Sequence, residues 1–373
     1  MLRCMYSGIS GMRANQTKLD VIGNNIANVS TTSFKASSAR FKDMLYQNAG
    51  EATAPTSAKG GTNAKQVGLG AQLSSINKVM GQGNALSTGR SLDVCVDGDG
   101  YFMVGKGIAD YTTGKGTTLT ADHKIAGGDM EILYTRDGNL TLDKEGNLLT
   151  ADGYRVMGYL VKGDADEDDS TVKSAATSID ETGEALFVNA DGMGKTSKKS
   201  ALRVTGDVLQ PLKIPDYVKK EVAVSGKIKD ATKDTKTTQP VKKFEIGSDG
   251  LITAVLGDGS RTVLGQIAMA SFKNPEGLVS VGGNYLNVSS NSGEPIVRSG
   301  VNVQMKTDGT LDTAIDDNSK GYGDCIQGCL EGSNVDLTEQ FTDMITATRS
   351  FQAASKMITT GDEILQTITG LMR

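Results

Sequence analysis

Residues 1–29 have the sequence MLRCMYSGISGMRANQTKLDVIGNNIANV, and residues 337–368 have the sequence LTEQFTDMITATRSFQAASKMITTGDEILQTI. In both stretches apolar residues recur at alternating steps of three and four, which places them along one seam of an α-helix. The members of this seam are Leu2, Met5, Ile9, Met12, Leu19, Ile22, Ile26 and Val29 near the start of the chain, and Leu337, Phe341, Met344, Phe351, Ile358, Leu365 and Ile368 near its end. Because an apolar seam needs a partner helix, we expect the two ends to meet each other or another subunit.

Composition argues against several classes of protein. The chain has 373 residues, more than one domain usually holds, so two or three folded units are expected. A formal net charge of -5 offers no basic face for nucleic acid or for an anionic membrane. No apolar run approaches the ~20 residues that cross a bilayer, and the start of the chain lacks the continuous apolar core of a cleavable secretory signal. On composition alone the protein would be assigned to the cytoplasm.

The sequence pattern predicts a nested organisation. Residues 1–33 and 333–373 form an inner helical domain, and residues 34–71, rich in Gly, Ala, Thr and Ser, form an extended connector. Residues 72–160 and 241–332 form a β-rich middle domain, because short alternating segments are separated by turn pairs such as Asp137-Gly138. Residues 161–240 form a small outer insertion, mostly β or irregular. The predicted fold class is α+β with several domains, in which the terminal helices form a coiled-coil-like inner domain.

Two local predictions are more specific. Leu92, Val94 and Val96 alternate with polar or small residues, which is the period of a half-buried strand. Ser333 or Asn334 is expected to cap the C-terminal helix, because short polar side chains accept hydrogen bonds from the first backbone N–H groups of a helix.

Patterns for catalysis and metal binding are weak. Asp97 to Gly100 resembles the opening of a calcium loop, but the positions that follow lack the remaining ligands, so a turn is favoured. Cys325 and Cys329 have no neighbouring histidine to complete a zinc site. The single histidine, His123, lies in no Ser-His-Asp pattern. We therefore expect no enzyme activity, no cofactor and no bound metal.

Several segments, in order along the chain, carry the pattern of a known family. YSGISGM (residues 6–12) and GNNIANVSTTSFK (residues 23–35) lie near the start. LDVCVDGDGYFMV (residues 92–104) and YTRDGNLTLDKEGNLLTADGYRVMG (residues 134–158) lie in the predicted β domain. Residues 265–295 and residues 330–373, which include LEGSNVDLTEQFTDMITATRSFQAASKMI, complete the set. Together these segments resemble the flagellar rod and hook protein family.

The resemblance implies a set of signature residues at the two ends. They are Asn24, Asn25, Asn28, Phe34, Lys35, Ser333, Asn334, Val335 and Asp336. The three N-terminal asparagines have two open interpretations, a simple helix stop or the exit from the inner helix. Ser33 stands where the family usually has glycine, so a left-handed backbone at that residue would be more costly here.

What the resemblance implies about function is export through the flagellar type III apparatus without signal-peptide cleavage, followed by polymerisation outside the cell. The product would be the hollow, curved hook, a flexible joint that transmits torque from rod to filament, with the apolar seam as its assembly interface.

Length and insertion favour the hook over the first alternative, a distal rod protein of the basal body. A secreted β-rich binding module, whose terminal helices merely pair with each other, is the second alternative. Implied partners are further copies of the chain, the distal rod, hook cap and hook-filament junction proteins, and the export apparatus. Neither nucleic acid nor membrane insertion is expected.

Overall fold

Both ends of the chain belong to one structural unit, and the middle of the chain forms another. Unit 1 comprises Met1–Gly83 and Ser333–Arg373, and unit 2 comprises Asn84–Gly332. The computed structural model describes residues 2–57, 59–107, 111, 117–120, 124–128, 130–162, 172–173, 177–180, 183–190, 203–204, 208–222, 235–297 and 323–371. His123 and most of the predicted insertion, including its acidic run from Asp164 to Asp169, lie outside the described residues.

Unit 1 contains two long helices and four strands. The elements are α1 (Leu2–Ala27), β1 (Ser37–Asp43), β2 (Tyr46–Gly50), β3 (Lys65–Gly68), β4 (Ala71–Lys78) and α2 (Leu337–Leu371). Helix α1 ends at Ala27, because Asn28 competes for the last helical groups, so the predicted seam residue Val29 lies beyond the helix. Its Nδ2 atom donates to the carbonyl oxygen of Asn24 at 2.9 Å, and its Oδ1 atom accepts from the Thr31 hydroxyl at 3.2 Å.

Residues 34–71, expected to be an extended connector, contribute most of two antiparallel ribbons. Strand β1 pairs with β4 from Ser37 opposite Lys78 onward, and β2 pairs with β3. The residues after Gly70 return to β1 and satisfy its backbone hydrogen bonds, which water would have to satisfy in a connector. The backbone N–H of Ala71 also donates to the Ser10 hydroxyl at 3.4 Å, which attaches the first ribbon to α1.

The cap of α2 differs from the predicted one. Asp336 fills this position, since its Oδ1 atom accepts from the backbone N–H of Thr338 at 2.8 Å and of Glu339 at 3.4 Å. Neither Ser333 nor Asn334 is the cap, because the helix begins at Leu337, too far along the chain for their side chains to reach its first turn. An anionic cap is also favoured by the positive end of the helix dipole.

Unit 2 is built from short strands. They are β5 (Ala85–Ser87), β6 (Val94–Asp97), β7 (Tyr101–Lys106), β8 (Thr117–Leu119), β9 (Ile125–Gly127), β10 (Glu131–Thr135), β11 (Leu140–Leu142), β12 (Leu148–Thr150), β13 (Arg155–Tyr159), β14 (Val161–Lys162), β15 (Val172–Lys173), β16 (Arg203–Val204), β17 (Val208–Pro211), β18 (Tyr217–Val222), β19 (Thr235–Ile246), β20 (Leu251–Leu256), β21 (Arg261–Ile267), β22 (Met269–Ser271), β23 (Val279–Gly282), β24 (Tyr285–Asn287), β25 (Ile296–Val297), β26 (Asp324–Gln327) and β27 (Cys329–Glu331). One short 3₁₀-helix, Pro275–Gly277, precedes β23.

Strand β13 is the centre of unit 2. It pairs antiparallel with β7, β12, β17 and β21, and β7 pairs in turn with β10 and β22. Side chains from these strands, among them Phe102, Val104, Leu148 and Met157, are fully buried. A predicted α+β fold with terminal helices and a β-rich middle is therefore confirmed.

The core of unit 2 reaches further along the sequence than the predicted middle domain. Leu212, Ile214 and Val218, which the pattern assigns to the outer insertion, lie in the same apolar cluster as Val94 and Leu148. They are apolar and lie in or between strands that pair with other parts of unit 2, so burying them here removes more apolar surface from water than a surface position would. A separate outer domain in the rest of residues 161–240 stays a prediction.

Candidate functional site

The two terminal helices pack against each other in antiparallel order. Asn25 of α1 lies beside Gln340 near the start of α2, with 3.0 Å between Asn25 Nδ2 and Gln340 Oε1. Further along, Lys18 Nζ lies 3.2 Å from Asp343 Oδ2. At the free end of α1, a methyl group added to Gly361 would lie 3.3 Å from Met5 Cγ. The first of the two predicted partnerships for the seam, pairing within the chain, is therefore present.

Small residues make this close approach possible. Ala347 and Gly361 are the buried residues of α2, and with Ala354 they form a row at every seventh position. Across the interface, a methyl group on Gly8 would lie 3.4 Å from Ile358 Cγ1. The sequence pattern named the large residues beside this row and missed the row itself. Small residues seven apart, next to a large heptad row, are the signal that could have found it.

Most of the predicted seam is only partly covered by the helix pair. Ile22 is buried, and the half-buried members are Met5, Ile9, Met12, Leu19, Ile26, Val29, Met344, Phe351, Ile358 and Leu365. Leu337, Phe341 and Ile368 are exposed, and Leu2 lies in the first turn of α1. Part of the seam surface therefore stays uncovered in the single chain.

Further large apolar side chains are exposed outside the predicted seam. Tyr6 is 69% exposed, Ile345 57% and Leu371 83%, and Met357 and Ile364 are exposed as well. Two of them, Ile364 and Leu371, lie where α2 outruns its partner: ten residues of α2 follow Gly361, whereas three residues of α1 precede Met5. The helix pair therefore leaves several large apolar side chains uncovered in the single chain.

The signature residues gather where α1 ends and α2 begins. Asn25 and Asn334 both bond to the backbone at the start of β1, and the backbone N–H of Asn334 donates to the carbonyl oxygen of Phe34 at 3.4 Å. Lys35 Nζ donates to the carbonyl oxygen of Gly81 at 2.9 Å. The Ser333 hydroxyl accepts from the backbone N–H of Val335 at 3.3 Å. Asn24, Asn28 and Asp336 act at helix ends as described above.

Ser33 adopts the left-handed conformation that its position in the family pattern implies, with φ of 56°. This residue turns the chain from the end of α1 toward β1, and its side chain is buried. A non-glycine residue held in this conformation costs of order 1 kcal/mol or more. The surrounding contacts must therefore hold the turn in place.

The thiols of unit 2 do not have the properties of a reactive site. Burial, with the nearby Glu331 carboxylate, raises the pKa of Cys95 to about 11, so its thiol stays protonated at neutral pH. Cys325 is also buried, and Cys329 is half-buried. Within the described residues, no group of three or more His, Cys, Asp or Glu side chains is placed to hold a metal ion. No described helix is long and apolar enough to cross a membrane.

Comparison with known proteins gives the arrangement a family. The chain is 36% identical over 373 residues to the flagellar basal-body rod protein FlgG of Bacillus subtilis, and the alignment covers 100% of both chains. The chain belongs to the flagellar rod and hook protein family. The resemblance inferred from the sequence segments is thereby confirmed, and the protein is a structural component of the flagellum.

Family models match three parts of this rod and hook family member. Residues 5–35 match the flagella basal body rod protein, residues 123–254 match the flagellar hook protein FlgE/F/G D1 domain, and residues 326–371 match the C-terminal part of the flagellar basal body rod FlgEFG protein. The first and last matches contain α1, α2 and the asparagines at their junction.

Relatives from both branches of the family align along their full length. The flagellar hook protein FlgE of Borreliella burgdorferi is 29% identical over 480 aligned positions, covering 100% of each chain. The basal-body rod protein FlgG of Agrobacterium fabrum is 29% identical over 371 positions, covering 99% of this chain and 98% of that one. A crystal structure of Helicobacter pylori flagellar hook protein FlgE2 matches 66% of this chain and 100% of that chain at 11% identity, with a TM-score of 0.34. A match at that TM-score supports no conclusion about the fold.

Proposed function

We propose that the chain is the subunit of the flagellar hook, and that its copies polymerise into a hollow tube through the faces of α1 and α2 that the helix pair leaves open. The observation that supports this is the row of exposed apolar residues on α2, with Phe341 49% exposed and Ile345 and Leu371 exposed further. Burying one such side chain contributes roughly 1.5–3 kcal/mol. In a tube this contribution recurs in every subunit.

The half-buried seam residues have a second role in this proposal. Met12, Leu19, Phe351 and Leu365 each keep part of their surface open after the helices have paired. Neighbouring copies would cover the remainder, so the fifteen predicted seam positions would be shared between the intramolecular pair and the contacts between subunits. Terminal helices with so little buried surface are marginal alone and become ordered when they are covered.

The distal rod is a second candidate for the same fold. In its favour, the alignment with Bacillus subtilis FlgG has as many positions as this chain has residues, so that rod protein has no segment that this chain lacks. The alignment with the Borreliella burgdorferi hook protein has 480 positions, so that hook protein has segments absent here. Two features favour the hook. The chain is long, and residues 161–240 form an insertion that a short rod protein would lack.

Location and partners follow from the proposed function. The subunit would leave the cell through the flagellar export apparatus with no cleaved signal peptide. It would bind further copies of itself, the distal rod at one end, and the hook cap and hook-filament junction proteins at the other. The secreted binding module is the third possibility, and it predicts a monomer that is stable at high concentration with both termini protected from protease.

Substitution on α2 tests the proposed polymerisation. Ile345→Ser removes an exposed apolar side chain, so it should change the unfolding of the monomer little and raise the critical concentration for polymerisation by tenfold or more. Thr346→Ser is the matched control at the neighbouring exposed position, and it should polymerise as the unaltered chain does. Sedimentation across a range of protein concentrations measures both. Equal critical concentrations for the two variants would place Ile345 outside the contact.

Electron microscopy of the assembled tubes separates hook from rod. Curved tubes that change curvature with salt or temperature support the hook. Straight tubes of one form under all conditions support the distal rod. A chain that stays monomeric at high concentration, with both termini resistant to protease, would support the binding module and contradict both flagellar assignments.

A further inference from the structure

Two asparagine side chains hold the first residues of β1 from opposite ends of the sequence. Asn25, in the last turns of α1, is 1% exposed. Its Oδ1 atom accepts from the backbone N–H of Ser37 at 3.0 Å, and its Nδ2 atom donates to the carbonyl oxygen of the same residue at 2.8 Å. The remaining Nδ2 hydrogen bonds to Gln340 Oε1 at 3.0 Å. The side chain therefore bonds to β1 and to α2 together.

Asn334, three residues before α2, has the complementary set of bonds. Its Oδ1 atom accepts from the backbone N–H of Ala36 at 2.7 Å. Its Nδ2 atom donates to the carbonyl oxygens of Val79 at 2.7 Å and Gly81 at 3.1 Å, just after β4. Asn334 therefore joins the C-terminal segment to both strands of the first ribbon.

Each of these bond sets is complete only when both ends of the chain are in place. The amide of Asn25 needs Gln340 from the C-terminal segment, and the backbone of Ala36 needs Asn334 from that same segment. A buried amide that loses its partners keeps the cost of leaving water without compensation, so partly formed states are disfavoured. The left-handed turn at Ser33 lies directly before the held residues, and such a turn persists only where its surroundings fix it.

We propose that Asn25 and Asn334 form a clasp that makes the ordering of α1 and the ordering of α2 one cooperative step. The contacts between the two helices extend along both of them, but they are mostly half-buried and non-directional. The directional bonds of the clasp therefore specify the register and couple the two termini. Its biological consequence rests on the proposed function: a chain with one unplaced terminus would offer no complete surface to a growing tube, and a chain with both termini clasped would.

A double-mutant cycle on the critical concentration for polymerisation tests the clasp in the full-length chain. Asn25→Ala and Asn334→Ala should each raise the critical concentration roughly tenfold or more. If the two side chains act as one device, the double variant should lie within about twofold of the weaker-assembling single variant. Effects that multiply would show two independent sites and would overturn the proposal.

Asn28→Ala supplies the matched control. Asn28 lies on the same helix, but its side chain bonds to Asn24 and Thr31 within the N-terminal segment. Combined with Asn334→Ala, it should show effects that multiply, since the side-chain bonds of Asn28 all lie within the N-terminal segment and do not depend on the C-terminal one. If the double variant Asn28→Ala with Asn334→Ala assembled no worse than its weaker single variant, any weakening of the termini would give the same critical concentration. That outcome would also overturn the assignment to Asn25.

Hydrogen exchange tests the coupling between α1 and α2 in soluble chains, including variants that do not polymerise. In the soluble full-length chain, Asn334→Ala should speed exchange in residues 12–24, and Asn25→Ala should speed it in residues 341–351, across the interface in both cases. Changes confined to the substituted terminus would overturn the clasp. If the unaltered chain fails to polymerise but shows this reciprocal effect, the clasp stands and the hook assignment fails. If its termini exchange freely and no tube forms, both fail.

Discussion

Unit 1 and unit 2 bury their apolar residues to very different extents. In unit 1 the buried apolar side chains are Ile22, Ala36 and Ala347, whereas all the other buried apolar side chains of the described residues lie in unit 2. Unit 2 has large side chains such as Phe102 and Leu148 inside a continuous core. Its stability is therefore its own, and that of unit 1 depends on what covers it.

The largest expected effect is the loss of the buried ion pair in unit 2. Arg136 is buried, with Nε donating to the carbonyl oxygen of Gly100 at 2.9 Å, Nη2 to that of Gly98 at 2.6 Å, and Nη1 lying 3.4 Å from Glu331 Oε1. Arg136→Ala should lower the free energy of unfolding of unit 2 by about 3–5 kcal/mol, because it leaves a buried carboxylate without its cation.

Chemical denaturation of the soluble chain measures this loss. Removing the charge of the partner as well, in Arg136→Met with Glu331→Gln, should recover part of it, because no uncompensated charge is then left. An unchanged unfolding midpoint in Arg136→Ala would contradict the claim that unit 2 is stabilised from within.

A pair of leucines tests the comparison between the units directly. Leu148 of unit 2 is 0% exposed, and Leu45 of unit 1 is 79% exposed. Leu148→Ala should destabilise the monomer by roughly 2–5 kcal/mol, since it leaves a cavity in a packed core. Leu45→Ala should change the same unfolding transition by less than about 0.5 kcal/mol. Similar effects of the two substitutions on thermal unfolding would show that unit 1 is covered in the monomer.

The sequence predicted the two helices of unit 1 better than the strands that pack beside them. The heptad steps locate α1 and α2, because a helix period is a local property of the sequence. Strand β1 was expected to belong to a connector and most of β4 to the β-rich middle domain. The two strands are held together by long-range pairing, and Ser10 of α1 bonds to the ribbon. Local pattern carries no information about such partners.

In unit 2 most of the turns were predictable and the burial was not. Gly153 and Gly250 have positive φ values, 85° and 78°, as the pairs Asp152-Gly153 and Asp249-Gly250 predict, whereas Gly138 of the pair Asp137-Gly138 does not have one. Strand β6 was expected to be half-buried, but Cys95 is as fully buried as Val94 and Val96. The strand pairs with β26 and contacts β27, both distant in sequence, and alternation alone cannot anticipate such neighbours. For the candidate site, the family resemblance identified Asn25 and Asn334 as signature residues. Their hydrogen-bond partners could be identified only from the structure.

Acid should lower the free energy of unfolding of unit 2 through Asp258. A hydrogen bond from Lys220, 2.5 Å away, and further bonds from Ser260 hold the pKa of the Asp258 carboxyl well below its usual range. Since the folded pKa is lower than the unfolded one, the carboxylate contributes stability at pH values above about 4, and this contribution is lost as the pH falls through the folded pKa. The effect is moderate because the Asp258 side chain is about a third exposed.

Urea unfolding of unit 2 between pH 3 and pH 7 checks this assignment. Asp258→Asn should be less stable than the unaltered chain at neutral pH, because Lys220 keeps its charge and loses its counterion. Its stability should then fall less steeply with acid. If the free energy of unfolding fell equally steeply with pH in the two proteins, Asp258 would not be the cause of the acid sensitivity.

The smallest expected effect is a gain of stability in unit 1. Gly11 lies within α1, and a methyl group added there would meet nothing within 4 Å, whereas one on Gly8 would contact Ile358 Cγ1 at 3.4 Å and the carbonyl oxygen of Ala354 at 3.5 Å. Alanine is favoured over glycine in a helix interior by up to about 1 kcal/mol. Gly11→Ala should therefore slow hydrogen exchange across the middle of α1 in the soluble chain. Gly8→Ala gains the same propensity but presses on α2, so it should slow exchange less. If Gly11→Ala leaves exchange unchanged, α1 is not limited by its own marginal helix stability, and the contrast between a self-sufficient unit 2 and a dependent unit 1 loses its physical basis.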